Sequence, residues 1–189
     1  MRDAFQKDTF QQIYEKYHQD VFKFLFYMVK NREQAEDLVQ EVYIRVLKSY
    51  EKFEGRSSEK TWLLSIARHV AIDWFRKNKT IRERIYDKFD WDQQQIMDYK
   101  PLPDELALQG EQVQQMYHAL DACTVDQKSV ILLRYLQELS IAETAKTLGW
   151  TESKVKTTQH RALKQLQKQM NIIAEEREGF LSEKTRVKY

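Results

Sequence analysis

The chain has 189 residues, 42% hydrophobic and 32% charged, which is enough for one medium domain or two small ones. A formal net charge of +2 excludes a protein whose own positive excess drives strong DNA binding, and four Gly with two Pro leave long unbroken stretches that favour an all-α fold. One cysteine, Cys123, excludes an internal disulfide framework and a cysteine-rich zinc site, and an N-terminus without an apolar core excludes a signal peptide, so a cytoplasmic setting is expected.

Phe10, Ile13, Tyr14, Tyr17, Val21, Phe24, Leu25 and Met28 mark one face of a first helix, with Thr9 and Gln12 fitting a capping box at its start. The apolar run at 21–29 is interrupted by Lys23 and falls short of the roughly 20 residues a membrane span needs. Asn31 and Arg32 punctuate. In residues 33–50, Ala35, Leu38, Val39, Val42, Val46 and Tyr50 recur at helical period and predict a second helix with one buried face. A second stripe on it, Glu33, Glu36, Asp37, Gln40 and Glu41, is acidic and amide-rich, as a docking face for a large basic partner would be.

Residues 51–58 read as a loop with turn chemistry from Gly55 and two serines. Ser57 or Ser58 caps a third helix over about 59–79, with Trp62, Leu63, Ile66, Ala67, Val70 and Trp74 on its core face. Beside that face run Ser65, His69, Ile72, Asp73 and Arg76, with Arg68, Lys77 and Lys79 close by. Basic groups can hold a phosphate backbone while aromatics stack on unpaired bases. Phe53, Arg56 and Ser57 in the preceding loop could pocket a base taken out of its stack. For Trp62 and Trp74 a core role outweighs a reading role, and Asp73 can pair with its helical neighbours.

Residues 80–104 read as a flexible acidic linker. Both prolines, Pro101 and Pro103, lie there, and seven acids face four bases over 81–105. A helical extension through Arg84 or Tyr86 is compatible with the pattern. Helices resume at 106, one to about Cys123 and one over 126–137.

In residues 139–166, Ser140 with Glu143 forms a capping box, and Gly149 stands where a left-handed residue ends a helix. Thr151 caps the next helix; Ala145 is small where two helices cross, and Val155 packs beneath the turn. This is a helix-turn-helix pattern over about 141–160. On the second helix Val155, Ala162, Leu163, Leu166 and Met170 face inward. Lys154, Thr157, Thr158, Arg161, Gln165 and Lys168 form the outer stripe, flanked by Lys156, His160 and Lys164. Residues 153–170 hold five Lys or Arg and no acid, which suits phosphates and base edges in a major groove better than a merely solvated face. After Met170 a charged tail, 171–189, is expected to fray.

AEDLVQEVYIRV, then TWLLSIARHVAIDWFRK, an acidic linker and a terminal helix-turn-helix ending KTTQHRALKQL come in an order that resembles an extracytoplasmic-function (ECF) sigma factor of the sigma-70 family, of the sigma-X type. The resemblance covers about residues 10–170. It implies two helical domains, residues 1–79 as sigma region 2 and 105–170 as sigma region 4, and a protein that is not an enzyme and needs no cofactor or metal. It implies that Asp37, Leu38, Gln40, Glu41 and Ile44 dock on the clamp helices of the largest subunit of core RNA polymerase, with the flap as a further contact. Promoter DNA would be read at the −10 element by Phe53, Arg56, Ser57, Arg68, His69, Asp73, Arg76 and Lys77. The −35 element would be read by Lys154, Lys156, Thr157, Thr158, His160, Arg161 and Lys164. Control by an anti-sigma factor, commonly membrane-bound, is implied as well, with no membrane insertion of this chain. The sequence departs from the family at His69, where Asn is frequent, and in Asp121-Ala122-Cys123-Thr124, where the family often has Leu-Pro. Lysines replace several arginines of the recognition helix, and Lys lacks the planar fork of Arg. Phosphate contact and DNA shape then carry more of the affinity.

Two rival readings remain at this level. A stand-alone helix-turn-helix regulator with an N-terminal sensing domain explains the C-terminal motif but not the acidic stripe. A helical enzyme finds no phosphate-cradling Gly loop and no metal-spaced pair among His18, His69, His118 and His160.

Overall fold

The computed structural model describes residues 2–50, 53–86 and 110–186, with side chains placed for 10–50, 53–78, 110 and 113–172. All regular structure among them is helical. Helix α1 (Arg2–Val29) and helix α2 (Arg32–Ser49) form a hairpin on which α3 (Glu59–Tyr86) lies. A second unit follows: α4 (Glu111–Ala119), a 3-10 turn (Leu120–Ala122), α5 (Val125–Ile131), a π-turn (Leu132–Leu136), α6 (Ile141–Leu148) and α7 (Glu152–Arg186).

The α1–α2 link is only Lys30 and Asn31. Lys30 takes φ 56°, a conformation in which most non-Gly residues are strained, and its amide donates to Phe26 O at 2.7 Å. Asn31 is extended, and its side chain accepts from the Gln34 amide at 2.9 Å, which starts α2. The expected buried stripe of α2 is observed in Ala35, Leu38, Val39, Val42 and Val46, joined by Tyr43. In α3 the core is formed by Leu63, Leu64, Ala67, Val70 and Ala71, with Trp62, Ile66 and Trp74 half-buried against it. Ser58 begins α3, its hydroxyl accepting from the Thr61 amide at 3.2 Å.

Three expected boundaries move. Helix α1 starts at Arg2, so Thr9 lies inside it and caps nothing. Helix α3 runs beyond 79 to Tyr86, and α7 continues through 170 to Arg186 as one helix where a frayed tail was expected. No Pro stands at any of these points to stop the backbone ladder. The rest of the expected linker, and the start of the helix expected at 106, lie outside the described residues.

The two units pack on each other. Phe26 on α1 stacks on Tyr117 of α4 with ring centroids 6.2 Å apart, and Tyr27 meets Tyr117 edge-on at 5.8 Å. Gln137 Nε2 donates to Asp20 O at 2.9 Å, and α3 lies against α6. Helix α1 therefore buries two faces: the expected one toward α2 and α3, and a second toward the C-terminal unit.

Candidate docking and nucleic-acid interfaces

On α2 the residues away from the core are Glu33, Glu36, Asp37, Gln40, Ile44 and Leu47, all exposed. Ile44 is 45% and Leu47 52% exposed, so apolar surface adjoins the acidic stripe. Leu38 differs from its neighbours: it is buried, and supports this face from beneath. Glu41 is braced by Arg45, whose Nε donates to it at 2.8 Å, while Arg45 Nη2 reaches Asp73 of α3 at 3.2 Å. These bonds, Glu41's first, hold the Arg45 pKa above its ordinary value. Free for an outside partner are Asp37, Gln40 and Ile44.

On α3 the expected reading residues divide. His69, Arg76 and Lys77 are exposed, and the His69 ring Nδ1 lies 2.6 Å from Ser65 O. Asp73 joins α2 to α3 through Arg45 and also receives Arg76 Nη2 at 3.2 Å, which gives it a structural role. In the loop before α3, Arg56 is exposed and pairs with Glu54, and Ser57 is half-exposed. Phe53 packs on Trp62 at 4.9 Å and on Tyr50 at 6.2 Å, so it walls the loop as part of an aromatic stack.

Arg68 stands apart. It is only 7% exposed, and its Nη2 donates to Asp126 Oδ1 of α5 at 3.0 Å. Its guanidinium carbon lies 5.4 Å from the Trp150 ring centroid. Burial lowers its pKa, with Asp126 opposing. In this arrangement Arg68 faces the C-terminal unit and not solvent, which corrects the expectation of an open DNA contact.

The helix-turn-helix is capped as its sequence requires. Ser140 and Glu143 form a reciprocal capping box, which holds the Glu143 carboxyl below its ordinary pKa through the Ser140 hydrogen bonds. Gly149 takes φ 65° and closes α6, and the Thr151 hydroxyl accepts from the Lys154 amide at 3.2 Å. Val155 and Ala162 are fully buried. Lys154, Lys156, Thr157, His160, Arg161 and Lys164 are exposed and Thr158 is half-buried, so α7 presents the expected stripe outward. Leu163, expected inside, is 41% exposed and lines an open groove with His160, Lys164 and Gln167.

Three contributors were not foreseen. Gln159 ties α7 to the π-turn, accepting from Arg134 Nε at 3.2 Å and donating to the Tyr135 hydroxyl at 2.9 Å. Trp150 receives Lys154 Nζ over its ring at 3.8 Å. Lys30 bonds Tyr117 O and pairs with Asp121 at 2.8 Å; its burial depresses the ammonium pKa to about 8, against the pull of Asp121. A lone lysine in an α1–α2 turn carries no sequence signal for such a contact.

Residues 13–81 match the family model Sigma-70 region 2, and residues 114–166 match Sigma-70, region 4. The chain is 65% identical over 170 residues to the ECF RNA polymerase sigma factor SigX of Bacillus subtilis strain 168, covering 90% of this chain and 88% of that one. It belongs to the ECF sigma factors of the sigma-70 family. RNA polymerase sigma factor YlaC of the same organism is 33% identical, over 90% of this chain and 96% of the relative. Among solved structures, the sigma factor RpoE of Bartonella quintana, in complex with the anti-sigma factor NepR, superposes with a TM-score of 0.66. That match is at 23% identity, over 87% of this chain and 98% of that one. CnrH, in complex with the cytosolic domain of CnrY, gives a TM-score of 0.65 at 15% identity, covering 88% of this chain and 90% of that one. These two likenesses establish the shared fold. In this ECF sigma factor, region 2 is the α1–α3 unit and region 4 the α4–α7 unit. No described helix is long and apolar enough to cross a membrane.

Proposed function

We infer that this sigma factor joins core RNA polymerase through the outer face of α2 and brings two reading surfaces to one promoter. The observation that carries the assignment is the face itself. Asp37 and Gln40 are exposed beside two outward aliphatics, Ile44 and Leu47, and no element of the chain covers them. A mixed acidic and apolar helix face suits a basic helical partner such as the polymerase clamp, since apolar anchors supply affinity and charges supply register.

Promoter reading divides between α3 and α7. His69, Arg76, Lys77 and Arg56 address the −10 element, and Lys154, Lys156, Thr157, Thr158, His160, Arg161 and Lys164 the −35 element. Each surface binds weakly alone, and tethering to one polymerase raises its effective concentration. This fits a chain of net charge +2. An anti-sigma factor acts by covering these surfaces, a reading supported by the complexes in which RpoE and CnrH were solved.

The test is the triple substitution Asp37→Ala, Gln40→Ala and Ile44→Ala. It leaves the melting curve intact and lowers core affinity roughly thirtyfold, about 2 kcal/mol, if these residues form the centre of the interface. Unchanged capture of core polymerase would refute the docking face. Transcription from a promoter library by the reconstituted holoenzyme then reports DNA selectivity, which this variant should not alter.

A further inference from the structure

Arg68 is held by two groups of the C-terminal unit: the Asp126 carboxylate at 3.0 Å and the Trp150 ring at 5.4 Å. An anionic oxygen and a π face are what a single nucleotide of an unpaired strand offers an arginine, through its phosphate and its base. The Trp150 ring also takes Lys154, from the first turn of the recognition helix, at 3.8 Å. One indole thus gathers a cation from each of the two DNA-reading helices. At the other end of the contact Lys30 reaches Asp121 and Tyr117 O.

We propose that the free sigma factor latches itself shut, with Asp126 and Trp150 of region 4 occupying the Arg68 site of region 2 in place of a promoter strand. The proposal rests on the reading of α3 as a DNA face. The contact is built to release. Its polar members are incompletely matched: Arg68 Nε and Gln137 Oε1 are buried without a hydrogen-bond partner among the described residues. Each such buried group costs about 1–3 kcal/mol, which offsets much of the aromatic packing between Phe26, Tyr27 and Tyr117. Lys30 adds strain by holding a left-handed backbone. Meanwhile Asp121 and Asp126 stay 60% and 52% exposed on the side chain, so a competing partner can reach the ion pairs from solvent.

The exposure of these two aspartates makes the latch testable without disturbing a core. In the intact chain Asp121→Asn with Asp126→Asn is expected to raise the radius of gyration in small-angle X-ray scattering, with the wild type matching the closed structure. Asp126→Asn alone is expected to tighten binding of a short fluorescein-labelled DNA single strand of mixed sequence, without polymerase, at least about fivefold, because a larger open fraction lowers the apparent Kd. Glu15→Gln, which removes one acid outside the interface, should change neither reading. An extended wild type, or a double variant as compact as wild type, overturns the latch. Equal tightening by Glu15→Gln overturns the occupancy of Arg68, since general charge then explains it. Expansion without tighter DNA binding keeps the latch and refutes Arg68 as a DNA contact.

Discussion

Two basic helices of this molecule look alike as sequence and differ in what they have to spare. On α7, Lys156, His160, Arg161 and Lys164 face solvent, and none has an ion-pair partner among the described residues. On α3, Arg68 is committed to Asp126, and Arg76 donates to Asp73, which also receives Arg45. The difference arises from the neighbours. Helix α7 projects from its unit with acids absent from 153–170, whereas α3 lies between α2 and the C-terminal unit, both of which carry carboxylates. A positive stripe is therefore a ready surface only where the fold leaves it unmatched.

The largest effect that can break this contrast comes from Val155→Asp. A charge placed at a fully buried position should cost more than about 4 kcal/mol and unfold the support of α7. Hydrogen exchange should then show α6 and α7 unprotected while α1 to α3 keep their slow amides. Loss of protection throughout would mean that the two helices belong to one cooperative body and cannot be compared as separate surfaces. Next is Arg161→Ala, expected to weaken binding to a −35 duplex by about 1–3 kcal/mol. Arg68→Ala should weaken single-strand binding by less, because the wild-type residue must first leave Asp126; a larger loss would show that Arg68 is already free. Gly149→Ala is smaller still. Open space surrounds the added methyl, so only φ 65° opposes it, at about 1–2 kcal/mol, read as a lower melting temperature.

The smallest effect is Glu143→Gln. The Glu143 pKa is depressed below 4.5 in the folded chain, chiefly by the Ser140 hydrogen bonds. Its contribution is therefore present above pH 4.5 and is lost as pH falls through the depressed value. The stability gap between wild type and variant should be constant near neutrality and close in acid; a gap that widened there would reverse the assignment.

Features that depend on near neighbours in the chain could be read from sequence. The Ser140–Glu143 box, Gly149, the Thr151 cap and the buried stripe of α2 all follow from spacings of three or four residues, and each is observed. What depended on distant segments could not. Phe26 is buried because Tyr117 covers it, 91 residues away, and Arg68 is buried because Asp126 and Trp150 come to it. Thr9 shows the opposite error. A cap pattern has meaning only where a helix begins, and this one falls inside α1. Leu163 was assigned inward by period alone, but the core beneath α7 is narrow there and Ala162 and Leu166 fill it.

The π-turn at Leu132–Leu136 has a consequence for how the recognition helix is aimed. Gln137 N reaches back five residues to Leu132 O, at 2.9 Å, and Leu139 N six residues to Leu133 O, at 3.0 Å. Such a turn holds one residue more than an α-helical turn of the same height. Each residue of an α-helix advances its phase by about 100°. Deleting one residue here would restore the ordinary pitch and rotate everything downstream by about that angle relative to α5, with every side chain of the helix-turn-helix unchanged. The orientation of the −35 surface is thus set by a count of peptide units, and a chain one residue shorter would carry the same recognition helix pointed at the wrong side of the duplex.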